Sequence, residues 1–157
     1  MKRISKKISF AKIYSYIAQT SFFIIVSTLI KNIALYCINN GINVSNKLFG
    51  LMYIQNRGAA FSLLSSYTDI LIVLSAIVLF ILLFIVIKNS SKFSHNELTI
   101  FSILTAGIVG NLYERILDGF VTDYIKLNIV DFPIFNASDI LITVGAVGLI
   151  FVVYSKK

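Results

Sequence analysis

Apolar residues fall into four long runs separated by shorter polar stretches, and this spacing predicts four membrane-spanning helices. A helix needs about 20 apolar residues to cross a ~30 Å hydrocarbon layer. The runs lie at about Ile13–Ile38, Ile70–Ile87, Leu98–Leu117 and Asn136–Tyr154. The second is the purest, interrupted only by Ser75, and the third is the least pure, carrying Asn111, Glu114 and Arg115. Between the first two runs, Leu48-Phe49-Gly50-Leu51-Met52-Tyr53-Ile54 is rich in strand formers, and Asn56-Arg57-Gly58 is a turn signal. The expected architecture is all-α, a single membrane-embedded domain over residues 1–157 with a small β-rich region outside the bilayer.

Composition agrees. Hydrophobic residues make up 57% and charged residues 13%, about half the share usual in soluble domains, and the mean hydropathy is +0.87. The single cysteine, Cys37, has no partner in the chain, which excludes a disulfide scaffold. Hydrophobicity excludes disorder, and no internal repeat suggests a solenoid. The first run follows a basic stretch, but it is too long for a cleavable signal peptide and lacks a small-x-small cleavage site, so it reads as a retained anchor.

The net charge of +7 raises nucleic acid as a partner, yet the basic residues flank the spans and form no stripe interleaved with stacking aromatics. Lys2, Arg3, Lys6, Lys7 and Lys12 precede the first span, Lys88 and Lys92 lie between the second and third, and Lys156 and Lys157 end the chain. The opposite loops carry only Lys47, Arg57 and Lys126. Nine against three predicts both termini in the cytoplasm, with residues 39–69 and 118–139 facing outward. Asp118, Asp123, Asp131 and Asp139 then gather at the outer face.

Polar groups inside a span are costly unless paired, which makes each a functional candidate. Asn111 and Arg115 share one helical face, with Glu114 beside them. Arg115 is expected to pair with Glu114 or with one of the outer aspartates, a clamp that needs no chemistry to explain it. Gly107 and Gly110 permit close helix approach. Asn136 and Asp139 have the spacing of a helix cap. Alternatively, Asp123 and Asp139, separated by 15 residues and emerging at one face from consecutive spans, form a pair of carboxylates sharing a proton. Such a pair can hydrolyse an amide: one member takes a proton from water while the other polarises the carbonyl. His95 is the only histidine and is placed in the inner loop, which excludes Ser-His-Asp and Cys-His arrangements and leaves too few soft ligands for zinc.

In order along the chain, four segments resemble the lipoprotein signal peptidases (signal peptidase II), which are bacterial membrane aspartyl peptidases. Asn56-Arg57-Gly58-Ala59-Ala60-Phe61-Ser62 resembles the family's Asn-x-Gly-Ala-Ala-Phe. Gly107 through Gly110-Asn111-Leu112-Tyr113-Glu114-Arg115 resembles Gly-x-x-Gly-Asn-x-x-Asp-Arg. Gly119-Phe120-Val121-Thr122-Asp123-Tyr124-Ile125 resembles Gly-x-Val-x-Asp-Phe-Ile, and Phe135-Asn136-Ala137-Ser138-Asp139 resembles Phe-Asn-x-Ala-Asp. Three places depart from the pattern, one being Ser138, a small residue where the family prefers alanine. Glu114 stands for the usual aspartate, and Ser27-Thr28-Leu29-Ile30-Lys31 keeps only the lysine of the family's Asp-Gln-x-x-Lys.

The resemblance implies removal of the signal peptide from diacylglyceryl-modified prolipoproteins, just before the lipidated cysteine. It implies Asp123 and Asp139 as the catalytic pair, and Asn56, Gly58, Asn111, Arg115 and Asn136 as residues that position substrate or the aspartates. No metal or organic cofactor is expected. The bacterial cytoplasmic membrane is the expected location, membrane lipid the surrounding partner, and a monomer the expected state. Two other readings compete. A channel or transporter subunit would need carboxylates at mid-membrane depth, and a degenerate scaffold is suggested by Ser27 and Thr28.

Overall fold

A computed structural model describes residues 8–58 and 68–155. The element order is α1 (Phe10–Asn39), β1 (Phe49–Asn56), α2 (Thr68–Asn89), α3 (His95–Asp118), β2 (Val121–Leu127) and α4 (Ala137–Tyr154). All four helices are long and apolar enough to span a bilayer. Each corresponds to an expected run, with ends that differ by a few residues because capping, rather than hydropathy, stops a helix. Ser94 and Glu97 form a capping box that starts α3, so His95 belongs to its first turn rather than to a loop. Gly119 ends α3 with φ 75°, a left-handed conformation that suits glycine. The basic residues expected at the two extreme termini and the Ala59–Ser62 part of the first motif lie outside the described residues.

The least apolar helix, α3, sits in the middle and touches the other three, α4 most extensively. This arrangement resolves the cost of its polar side chains: Ser102, Thr105, Asn111 and Glu114 are all buried in protein, where they find partners that lipid cannot offer. Tyr16 and Thr105 share a 2.7 Å hydrogen bond between α1 and α3. Leu82, Val86, Leu98, Phe101 and Leu104 pack around that contact. Apolar side chains such as Phe22, Phe80 and Phe151 project outward, as a lipid-facing surface requires. The close α3–α4 seam depends on the expected glycines and on one more, Gly145 of α4, which lies against the Leu104 backbone.

The β-rich region is a two-stranded antiparallel sheet of β1 and β2. Phe49 pairs with Leu127 and Leu51 with Ile125, but beyond an irregularity Ile54 pairs with Asp123 and Asn56 with Val121. One extra residue on β1 is thus absorbed between Leu51 and Ile54, a bulge. Beneath the sheet, Tyr124 packs with Ala34 of α1 and Ala137 of α4.

Candidate active site

The bulge determines which residues can meet. Paired residues in a sheet share a face, and faces alternate along each strand. With the register of the Phe49 end, Asn56 would pair one residue earlier and face away from Asp123. Shifted by one, Asn56 pairs with Val121 and lies on the same face as Asp123, two residues on. The Asn56 amide reaches across this diagonal and donates to Asp123 Oδ2 at 2.8 Å. Its own Oδ1 accepts from the Gly58 N–H at 2.9 Å, which makes the turn expected at Asn56-Arg57-Gly58.

Asp139 reaches the same place by a different route. Asn136 caps α4: its Oδ1 accepts from the Asp139 N–H at 3.0 Å, and Asp139 Oδ2 accepts from the Asn136 N–H at 3.1 Å. The capping reading therefore holds for this segment. The Asn136 side-chain amide then donates to Asp123 Oδ1 at 2.7 Å, so one residue ties both aspartates together. Asn111 of α3 donates to Asp139 Oδ1 at 2.7 Å. Three asparagines thus hold the two carboxylates, all three through neutral donors.

Asp123 is 2% exposed, and burial pushes its carboxyl up to about 6. The hydrogen bonds from Asn56 and Asn136 oppose that rise, the negative charge of Asp139 adds to it, and the Arg115 charge opposes it. The neighbouring Tyr124 is held neutral, its hydroxyl pushed by burial up to about 12, and it accepts from the Ala137 N–H at 3.1 Å. Both aspartates line an open cavity of about 1280 Å³, together with Asn56, Gly58, Asn111 and Arg115. Its walls are largely apolar, with Met52, Ile54, Phe132, Phe135, Ile140 and Val144 among them.

A cavity this size, greasy on its walls and carrying the buried Asp123 and the half-buried Asp139, suits hydrolysis of a peptide bearing an acyl group. The family model described as signal peptidase (SPase) II matches residues 19–155. The chain belongs to this family. It is 36% identical over 129 residues to a lipoprotein signal peptidase of Streptococcus thermophilus, covering 82% of each chain. It is 33% identical over 124 residues to one of Caldicellulosiruptor bescii, covering 77% of each. The fold is similar to that of a bacterial membrane enzyme determined by the in meso method at 2.3 Å resolution. That match has a TM-score of 0.77 and 27% identity, over 91% of this chain and 89% of the other. As a signal peptidase II the chain is an aspartic endopeptidase and a multi-pass membrane protein of bacteria, acting on prolipoprotein signal peptides.

Every residue that the signal peptidase II resemblance pointed to borders the cavity except Asn136, which stands behind it and holds Asp123. Arg115 departs from expectation. Among the described residues its guanidinium makes no ion pair; it donates to the Gly58 carbonyl at 2.8 Å and to the Asn111 carbonyl at 3.4 Å. Successive residues on a helix point about 100° apart, so Glu114 and Arg115 face different neighbours. Glu114 instead turns to α1 and pairs with Lys31 at 3.1 Å. The partner strand of β1 and the contact of Tyr124 with α4 were not expected from the sequence pattern. Val121-Thr122-Asp123-Tyr124-Ile125 does carry a strand signal in its β-branched and aromatic residues, and that signal was available.

Proposed function

We propose that Asp123 and Asp139 act jointly as the catalytic pair, cleaving before a diacylglyceryl-modified cysteine. The observation that carries this reading is the arrangement around Asn136, which bonds both carboxylates at the edge of the large apolar cavity. The pair holds one proton between its members. The ionised member takes a proton from water as the water oxygen bonds to the scissile carbonyl carbon. The protonated member gives its proton to the carbonyl oxygen, forming a tetrahedral diol. Collapse of the diol breaks the C–N bond; the proton taken from water passes to the leaving nitrogen, and a diol hydroxyl returns a proton to the pair. The products are a signal peptide ending in a carboxylate and a lipoprotein beginning with the lipidated cysteine amine. Asn56, Asn111 and Asn136 fix the carboxylates, and Arg115 holds the Gly58 end of the outer loop against α3.

The reading places both termini in the cytoplasm and the aspartates at the outer membrane face, with the enzyme working as a monomer. Charge distribution supports the orientation. Asp123→Asn and Asp139→Asn are expected to abolish processing of a lipidated precursor while leaving the protein inserted and folded. Asp131→Asn is the control, because Asp131 lines the same cavity without being tied to the pair. It should keep most activity. If Asp131 were essential and Asp123 dispensable, the pairing would be wrong.

A further inference from the structure

The backbone N–H groups of Thr122 and Tyr124, on either side of Asp123, are bound by groups outside the sheet. The Tyr124 N–H donates to the Phe135 carbonyl at 3.0 Å. The Thr122 N–H donates to Glu114 Oε2 at 2.8 Å. The other Glu114 oxygen, Oε1, accepts from the Lys31 ammonium of α1 at 3.1 Å. Glu114 is 9% exposed and Thr122 7%, so the contact is inside the protein. Neither Glu114 nor Lys31 lines the large cavity; both line a separate one of about 320 Å³, on the α1 side, with Ser27, Thr28 and Tyr113.

Taking Asp123 as catalytic, as proposed above, we propose that Glu114 is a positioning residue for Asp123. Glu114 fastens the start of β2 to α3 through the Thr122 amide, and Lys31 keeps it oriented. The residues on either side of Asp123 are then fixed from opposite sequence directions, by α3 and by the segment that enters α4. Ser27 makes the dependence on Glu114 greater. Among the described residues its hydroxyl bonds only to the Ile24 carbonyl of its own helix, and a serine offers Lys31 no competing carboxylate. Glu114 acts through an accepting oxygen, and its charge matters only because Lys31 is there to be matched.

Two double variants separate these roles without leaving a lone buried charge. Lys31→Met/Glu114→Gln keeps an oxygen that accepts from Thr122, and Lys31→Met/Glu114→Leu does not. Purified proteins would be assayed with a diacylglyceryl-cysteine peptide, and kcat would be expressed per folded molecule. The Gln pair should keep kcat within about threefold of the parent. The Leu pair should lose about tenfold or more in kcat with KM within about twofold, because misplacing a reacting group slows the chemical step rather than binding. If the Leu pair does not fold, Lys31→Met/Glu114→Ala replaces it with the same expectation. Equal kcat in the Gln variant and its apolar counterpart would overturn the proposal, as would a tenfold loss in a folded Gln pair. Asp123→Asn is run alongside. An active Asp123→Asn enzyme overturns the catalytic assignment itself, whereas an inactive one with indistinguishable double variants overturns only the role of Glu114.

Discussion

Gly107→Ala tests how closely the α3–α4 seam controls the position of Asp139. A Cβ on Gly107 would stand 2.5 Å from the Ser138 carbonyl oxygen and 2.8 Å from the Ile142 nitrogen, both backbone atoms of α4. Ordinary contact begins at 3.4 Å, so the helices must part by roughly 0.9 Å, the difference between 3.4 and 2.5. Overpacking of this kind costs about 1–3 kcal/mol, or roughly 3–9 °C in the thermal unfolding midpoint. The displaced residue, Ser138, immediately precedes Asp139, and an ångström at a reacting group costs on the order of 100-fold in rate. Both stability and kcat should therefore fall.

Two other glycines of α4 provide the comparison. Gly145→Ala meets Leu104 Cα and N at 2.7 Å, again backbone, so its stability loss should be similar. It lies further along α4 from the aspartates, and kcat per folded molecule should stay within about threefold of the parent. Gly148→Ala meets only Ile100 side-chain atoms, the nearest at 2.9 Å, which can rotate away. Its midpoint should fall by less than half as much as that of Gly107→Ala. The assay is thermal unfolding in detergent beside peptide cleavage. A Gly107→Ala enzyme with parental midpoint and kcat would refute the reasoning, and so would a Gly145→Ala enzyme that loses as much kcat.

The rate should fall as pH rises through the ionisation of Asp123, since its carboxyl, raised to about 6 by burial and by the negative Asp139, must keep its proton for the pair to carry one charge. Of the groups acting on Asp123, Asp139 opposes ionisation and Arg115 favours it, so Arg115→Leu should move the falling limb to higher pH. Arg115→Lys should leave the limb in place while lowering the rate, because it keeps the charge and loses the forked contact to two carbonyls; an unshifted limb in Arg115→Leu would reduce Arg115 to packing. Asn136→Ala should lose about 1 kcal/mol of stability with the cap, and kcat on the order of 100-fold with the tie to Asp123. Asn136→Ser should recover the stability, since serine caps well, but not the rate; recovery of both would exclude a role for the tie. A reporter active only in the cytoplasm, fused after Lys157 or inserted near Ser91, should be active, and near Asn46 it should be silent; the reverse pattern would place the aspartates on the inner side.

Hydropathy alone specified four helices, because a span must be long and apolar whatever it packs against. Local chemistry specified the caps: Asn136 and Asp139 form their box within four residues, with no need of distant partners. Short-range signals thus located Asp139, the glycines of the seam and the turn at Asn56. Which residues face one another across elements was decided by packing. The bulge in β1 leaves no clear mark in composition, yet it alone turns Asn56 to the face of Asp123. Arg115 and Glu114 are adjacent in the chain, and either could have taken the other's partner until the helices were placed. Helix rotation sends Glu114 to Lys31 and Arg115 to Gly58 because α1 and the Gly58 turn lie on different sides of α3. The carboxylates were legible as residues; their shared bond through Asn136 exists only because α4 begins beside the strand that carries Asp123.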